Sequence, residues 1–198
     1  MVIGSRSTVL ATALMLVCAV RVGAQDKAVH VFTYGGGYSA LKNVDDIGAD
    51  FKTGLTLGGG IGYEIDKYLE LRASLTGAQS QLLDNGAMTG VYLNRYYLAA
   101  DLKARYRFAN GFAPYGLVGT GAVLLHEKGT TGADKRQGFA HLGLGIGHAV
   151  GNSGFTIFAQ GDGFIYALSG MTSPSFTRFS KVQTDVGWSV GASYRFAL

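Results

Sequence analysis

The stretch Arg95–Phe108, RYYLAADLKARYRF, decides how the whole chain is interpreted. Its even positions are apolar or aromatic without interruption, from Tyr96 to Phe108. The charged side chains fall on odd positions, which include Asp101, Lys103, Arg105 and Arg107. A strict period of two places all apolar side chains on one face of a β-strand and all charges on the other. The stretch therefore predicts a strand whose two faces meet very different surroundings.

Seven further segments show alternation, clearest in residues 182–196, where the even positions are mostly apolar and the odd ones carry Asp185 and Arg195. The others are residues 30–41, 55–66, 68–81, 113–125, 139–150 and 155–168. Alternation leaves open which way residues 30–41 and 113–125 face. Strands of roughly 10–17 residues are long enough to cross a bilayer at a tilt.

The connections between these segments alternate in length. Short ones lie at residues 64–67, 109–111 and 151–154, where Asn and Gly tolerate positive φ. Long ones are predicted at residues 42–54, 83–94, 128–138 and 170–181. Short turns at one end and longer loops at the other are typical of outer-membrane barrels. The prediction is an all-β, eight-stranded, antiparallel up-and-down transmembrane β-barrel preceded by a cleaved signal peptide.

Composition agrees with a membrane protein that has no membrane helix. Hydrophobic residues make up 47% of the 198 residues and charged residues only 15%, which argues against intrinsic disorder. No run of 18 apolar residues exists, so a transmembrane helix is not expected. The 31 glycines include runs such as LGGGIGYE, but no Lys-Ser or Lys-Thr pair closes them as a phosphate-binding loop requires. We instead expect strand glycines to relieve crowding in a narrow barrel.

The first 24 residues resemble a secretory leader, with Arg6 before an apolar segment at residues 8–20 and small residues at 22–24. The predicted domains are thus a signal peptide at residues 1–24 and a barrel at residues 25–198. Cleavage would remove Cys18, the one cysteine, and two arginines, which lowers the net charge from +4 to +2. The basic isoelectric point is therefore no argument for a nucleic-acid partner.

Charges that face the inside of such a barrel must be paired. Strands survive in hydrocarbon only in a closed barrel, and eight strands leave an interior just filled by side chains. The predicted inward acids are Glu64, Glu70, Asp101, Asp162 and Asp185, and the predicted inward bases are Arg72, Lys103, Arg105, Arg107 and Arg195. Equal numbers predict an ion-paired lumen, because an unpaired charge there is costly. A wide pore would not need this balance.

Aromatic residues near the ends of the predicted strands indicate interfacial girdles, where the ring is apolar and its tip polar. On the short-turn side these are Tyr63, Tyr106, Phe108, Tyr115, Phe155, Tyr194 and Phe196; on the long-loop side they are Tyr96, Phe139 and Tyr166.

Two stretches resemble a known family. FAPYGLVGTGA, residues 112–122, is similar to a strand common in the small outer-membrane barrels related to the transmembrane domain of outer-membrane protein A. SVGASYRF, residues 189–196, is similar to the signal read by the barrel-assembly machinery, with matches at Ser189, Gly191, Tyr194 and Phe196. It departs from the family pattern because Ala197 and Leu198 follow the last aromatic residue.

This resemblance implies a multi-pass protein of the Gram-negative outer membrane, with both termini periplasmic. It would contact membrane lipid and lipopolysaccharide, and the assembly machinery during biogenesis.

Three functions are open. We expect a non-enzymatic barrel with a structural or surface-interaction role, whose surface ligand the sequence does not name. The alternatives are a narrow conduit for small or hydrophobic solutes, as in barrels resembling outer-membrane protein W, and a lipid A-modifying enzyme. For the enzyme, His126 beside Glu127 and His141 are the candidate bases, but no serine accompanies either at a suitable spacing. We expect both to be rim histidines, with no catalytic residue, cofactor or metal.

Overall fold

The computed structural model describes residues 27–41, 49–84, 87–128, 134–167 and 182–198. The strands are β1 (Ala28–Ala40), β2 (Ala49–Phe51), β3 (Gly54–Glu64), β4 (Leu69–Asp84), β5 (Ala87–Arg105), β6 (Phe112–Lys128), β7 (Lys135–Ala149), β8 (Phe155–Ala167) and β9 (Val182–Ala197). Within these ranges, no helix is long and apolar enough to cross a bilayer. The predicted signal peptide at residues 1–24 lies outside the described residues.

All strand pairings are antiparallel, and they close on themselves. β1 pairs with β9 on one side and β3 on the other, and β4 pairs with β5 to complete the circle. β2 and β3 both pair with β4, through Phe51↔Leu82 and Leu55↔Gln79, so they occupy one position interrupted at residues 52–53. The nine segments therefore fill eight positions. The predicted eight-stranded antiparallel barrel is confirmed.

The two ends of the barrel differ. The turn end holds Ala28 opposite Ala197, together with the connections at residues 65–68, 106–111 and 150–154. Gly111 and Gly154 have φ of +85° and +79° there, as the short Gly-containing turns predict. The loop end holds the opposite ends of the strands, where Ala40 of β1 lies opposite Asp185 of β9.

One of the predicted long connections is wrong. Residues 83–84 and 87–94 belong to strands, because β4 continues to Asp84 and β5 begins at Ala87. The two strands pair up to Asp84↔Ala87, with a register shift between Gln81 and Leu83. Polar and small residues suggested a loop, but the Asn-Gly dipeptide at residues 85–86 is a strong signal for a two-residue hairpin connection.

The boundaries elsewhere shift less. β5 ends at Arg105, so residues 106–108 belong to the turn rather than to the predicted strand 95–108. The third loop is shorter than predicted, because β6 ends at Lys128 and β7 begins at Lys135. Residues 42–48 and 168–181, which carry most of the other two predicted loops, lie outside the described residues.

The outer face is apolar, as alternation predicts. Leu57, Leu144 and Trp188 expose 70%, 75% and 64% of their surface there. The two segments whose facing was open are now assigned: even positions of β1 and odd positions of β6 are buried inside. The exposed aromatic residues of the predicted girdles are Tyr63, Tyr96, Tyr106, Phe108, Phe155 and Phe196.

Three girdle assignments are wrong. Tyr115, Phe139 and Tyr166 are buried inside the barrel, exposing 7%, 4% and 3% of their surface. Each shares its parity with inward side chains of its own strand, such as His141 beside Phe139. Position along the strand suggested a girdle, whereas side-chain alternation fixes the facing.

Inside the barrel, large side chains lie opposite glycines on the neighbouring strand. A Cβ on Gly119 would overlap the carboxylate of Asp101, its cross-strand partner, and a Cβ on Gly143 would crowd Asp162 in the same way. The same arrangement recurs in the pairs Tyr34↔Gly58, Phe32↔Gly60, Phe139↔Gly121, Tyr115↔Gly145 and Phe158↔Gly191. The glycines thus make room for the lumen side chains.

Candidate functional site in the barrel lumen

The polar side chains of the lumen form three layers along the barrel. The turn-end layer consists of His30, Glu64, Glu70, Arg72, Lys103, Arg105, Arg107 and Arg195. The middle layer consists of Asp101, His141, Gln160 and Asp162. The loop-end layer consists of Tyr38, Ser80, Arg95, Tyr97, Tyr166 and Asp185.

In the turn-end layer, Glu64 is the main acceptor. Its carboxylate receives hydrogen bonds from His30 Nε2 at 2.8 Å, Arg107 at 3.0 Å, Arg195 at 2.9 Å and also Arg105. Such charge-assisted hydrogen bonds are stronger than neutral ones. One buried carboxylate therefore holds side chains from four different strands or turns.

Glu70 is the second acceptor of this layer, and it is 1% exposed. Its Oε2 lies 3.1 Å from Arg105 Nη1 and 3.4 Å from Lys103 Nζ. The Lys103 ammonium also lies 4.4 Å from the centre of the Tyr115 ring. Both carboxylates are thus already engaged by cations.

The middle layer centres on His141, which is 4% exposed. Its Nδ1 lies 2.7 Å from Asp101 Oδ1 and its Nε2 lies 3.0 Å from Asp162 Oδ1. Two carboxylate acceptors require both ring nitrogens to donate, which is the imidazolium form. Gln160 extends the layer by donating to Asp162 at 2.7 Å. The expectation that His141 lies at the rim is wrong.

The loop-end layer centres on Asp185, which has no exposed surface. Its carboxylate accepts hydrogen bonds from the hydroxyls of Tyr97, at 2.9 Å, and Tyr166, and lies 3.6 Å from Arg95 Nε. Arg95 is 1% exposed and also donates to Ser80 Oγ at 2.5 Å. Tyr and Arg side chains thus satisfy a carboxylate that is fully removed from water.

Packed rings surround this ion pair. The Tyr97 ring stacks on Phe164 at 4.4 Å between centroids and meets Phe139 edge-on at 5.4 Å. Val123 and Leu125 have no exposed surface. Rings and aliphatic side chains packed in this way fill the lumen at the loop end.

The ten charged residues predicted for the lumen lie at different levels of the barrel, and Arg72 links the turn-end layer to the middle layer through Gln160. Asp101 and Asp162 lie in the middle layer, Asp185 in the loop-end layer, and the other seven in the turn-end layer. Arg107 and Arg195 sit near the opening of the turn end, where 50% and 29% of their side chains are exposed.

Sequence reasoning omitted His30 and Arg95 from the lumen and placed His141 at the rim. Arg95 occupies an odd position of the stretch that decided the fold, so its parity already placed it inside. Arg95 adds a sixth base to the five that were predicted, against five acids, which ends the predicted one-to-one balance. His30 was missed because the facing of its strand was open.

The residues of the predicted assembly signal lie in β9. Ser189 is buried at 3% exposure, whereas the rings of Tyr194 and Phe196 meet on the outside at 4.7 Å. Recognition of Ser189, Gly191, Tyr194 and Phe196 by the assembly machinery stays a prediction. No group of three or more His, Cys, Asp or Glu side chains in the described ranges could hold a metal ion.

Comparison with known proteins agrees with this architecture. The outer membrane protein beta-barrel domain family matches residues 10–197, nearly the whole chain. The chain belongs to this family. Members lie in the bacterial outer membrane, among its lipids and lipopolysaccharide. No curated protein matches the chain.

Solved structures of this family share the fold at low sequence identity. Neisserial surface protein A is 13% identical, with a TM-score of 0.60, over 88% of this chain and all of that one. Ail, the attachment invasion locus protein of Yersinia pestis, solved with the heparin analogue sucrose octasulfate, is 14% identical, with a TM-score of 0.53, over 87% of this chain and all of that one. OprG from Pseudomonas aeruginosa is 14% identical, with a TM-score of 0.52, over 88% of this chain and 97% of that one.

Proposed function

We propose that this outer-membrane barrel is non-enzymatic, that its lumen is closed to solutes, and that it has a structural or surface-interaction role. Its loop end would face outward, and both termini would be periplasmic. The observation that carries the proposal is the loop-end layer, where Arg95, Asp185 and packed aromatic rings occupy the lumen. A barrel filled in this way offers its loops and outer rim, rather than a channel, to the surroundings.

The conduit alternative needs an open path through the barrel. An apolar lumen would favour it, and the loop-end half is indeed lined by aromatic side chains. These rings pack against one another, however, and Tyr97 and Val123 have no exposed surface. Such packing argues against passage of solutes.

The enzyme alternative needs a nucleophile beside its base. The described hydrogen bonds of His141 go to two carboxylates, and that of His126 goes to Asp134 at 2.6 Å. Neither arrangement brings a serine hydroxyl to the imidazole. A non-enzymatic role is therefore the simpler proposal.

Swelling of proteoliposomes tests whether the lumen is closed. We expect the wild-type barrel to pass no small sugar or amino acid. The variant Tyr97→Ala removes the ring that touches Phe139, Phe164 and Tyr166, and it serves as the control in which a path opens. Rapid swelling with wild-type protein would refute the closed lumen.

Cysteine labelling tests the orientation, because the sole cysteine, Cys18, lies in the predicted leader. Met88 at the loop end is 63% exposed, and Asn152 at the turn end is exposed as well. A membrane-impermeant maleimide added to intact cells should label Met88→Cys and should label Asn152→Cys only after lysis. The reverse pattern would overturn the proposed orientation.

Two readouts separate a structural role from a surface role. A strain that lacks the protein should become sensitive to detergent if the role is structural. A non-adherent host that displays the protein should bind animal cells or matrix if the role lies at the surface. The fold shared with Ail, whose name refers to attachment and invasion, supports including the second readout. No change in either would refute the proposal, and removal of acyl chains from lipid A by the purified barrel would favour the enzyme.

A further inference from the structure

The turn-end layer surrounds a cavity of about 450 Å³ inside the barrel. Five cationic side chains line it: Arg72, Lys103, Arg105, Arg107 and Arg195. Polar side chains from β8, β9 and the connection at residues 150–154 line it as well, namely Thr156, Ser193 and Asn152. The volume falls within the range of small-molecule sites, and the cavity extends to the turns at this end.

The carboxylates beside the cavity do not balance these cations. Among the residues that the structure describes, Glu64 and Glu70 are the acids in contact with the layer, and counting these residues alone, five bases and two acids give a formal charge of +3. Both acids are already used, because Glu64 binds Arg105, Arg107 and Arg195, and Glu70 binds Lys103 and Arg105. The excess charge lies on the cavity wall.

Arg72 is the cation of this layer that forms no ion pair with either glutamate. It is 5% exposed, and no carboxylate among the described residues lies within 4 Å of it. Its Nη1 donates to the neutral Gln160 Oε1 at 3.3 Å, its guanidinium lies 3.9 Å from the centre of the Phe32 ring, and its Nε has no hydrogen-bond partner. Asp101 lies directly opposite on β5 but is bound to His141.

A buried guanidinium without a carboxylate in direct contact is costly, since its charge has lost most of its water and forms no ion pair in return. Arg105 adds a second buried Nε without a partner in the same cavity wall. Guanidinium and ammonium groups are the donors that bind phosphate and related oxyanions. A bound oxyanion would supply the missing charge and acceptors at once.

We propose that this cavity is a binding site for a phosphate-type oxyanion, held by Arg72 together with Lys103 and Arg105. Arg107 and Arg195 lie near its opening and attract the anion from the solution on the turn-end side. The anion is either free phosphate or the phosphate of a lipid headgroup, since both present the same group. The site is independent of the proposed surface role, which depends on the loop end.

Calorimetric titration of the folded full-length barrel with inorganic phosphate, in phosphate-free glycoside detergent, tests the site. We expect saturable binding that sodium chloride at matched ionic strength does not reproduce. Arg72→Gln should weaken it at least tenfold. Arg136→Gln removes an exposed arginine of β7 outside the cavity and should bind as wild type does.

A second variant keeps the test decisive if Arg72→Gln does not fold. Thr156→Asp adds a carboxylate to the cavity wall without removing a cation, and it should also weaken phosphate binding at least tenfold. Short-chain phosphatidylglycerol, titrated with and without phosphate, identifies the source. If phosphatidylglycerol displaces phosphate and half-saturates the site at a lower concentration than phosphate does, the site binds a lipid headgroup. If phosphatidylglycerol does not displace phosphate, the site binds the free anion. Absence of saturable binding, or unchanged binding in both variants, would overturn the proposal.

Discussion

The two halves of the lumen handle buried charge in opposite ways. At the loop end, one carboxylate and one guanidinium, Asp185 and Arg95, are sealed among aromatic rings and have essentially no contact with water. At the turn end, many charges line a cavity of about 450 Å³, and Arg107 and Arg195 lie near its opening. The first arrangement demands complete pairing, whereas the second tolerates an excess of cations.

This difference predicts where stability and where electrostatic binding reside. A sealed pair has no solvent to replace a lost partner, so every change there should be costly. An open cluster can recruit water or ions, so changes there should cost less and depend on salt. Four substitutions, ordered by expected effect, test this contrast.

The largest effect should come from Asp185→Asn. It leaves Arg95 buried without a counter-charge, and we expect a loss of about 3–5 kcal/mol in the free energy of unfolding. Urea unfolding in phospholipid vesicles, followed by fluorescence of the single tryptophan, Trp188, measures it. The double variant Arg95→Met/Asp185→Leu should recover most of the loss. If Asp185→Asn lowers the free energy of unfolding by less than about 1 kcal/mol, the proposed difference between the two halves of the lumen is wrong.

Tyr97→Phe should come second. The Tyr97 hydroxyl donates to Asp185 at 2.9 Å and lies 2.9 Å from the Tyr38 hydroxyl, so its removal weakens the sealed carboxylate. Because hydrogen bonds to charged groups contribute about 1.5–3 kcal/mol, we expect a loss of about 2 kcal/mol by the same measurement. Tyr96→Phe changes the adjacent, outward-facing ring and should have little effect. Equal losses in the two variants would contradict the assignment.

Glu64→Gln applies to the turn end the same carboxylate-to-amide change as the first substitution. The cations it releases line the cavity and can be solvated, so we expect a loss of only about 1 kcal/mol. Raising sodium chloride to 0.5 M should reduce this loss, because salt screens the partly exposed charges of Arg107 and Arg195 at the opening of the cavity. A loss equal to that of Asp185→Asn, and insensitive to salt, would show that the two halves do not differ.

Arg107→Gln should have the smallest effect. Half of this side chain is exposed, and Glu64 retains its other donors when Arg107 is lost. A change within about 0.5 kcal/mol is expected, in line with exposed ion pairs. If unfolding in urea shifts by more than that, the opening of the cavity is more tightly held than its exposure implies.

The sequence predicts the barrel because alternation is a local property. Residues 95–108 carry it without a break, and closure follows from the chemistry of hydrocarbon. The same rule places Arg95 and His141 inside, but Arg95 was left out of the predicted lumen set and His141 was assigned to the rim. The pairing of charges into three layers depends on barrel shear and register, which relate residues as distant as Tyr97 and Asp185. No local pattern encodes those distances.

Pairing of glycine with a bulky lumen residue links positions that are far apart along the chain. Asp101 fits because Gly119 faces it, and Asp162 fits because Gly143 faces it. Replacement of either glycine by a larger residue requires a smaller residue at the paired position on the neighbouring strand. A longer side chain in place of either aspartate is limited by the same lack of space. Over evolutionary time each pair should therefore change jointly or stay as it is. Drift in this barrel should thus be concentrated on its lipid-facing positions, where neither partner limits the other.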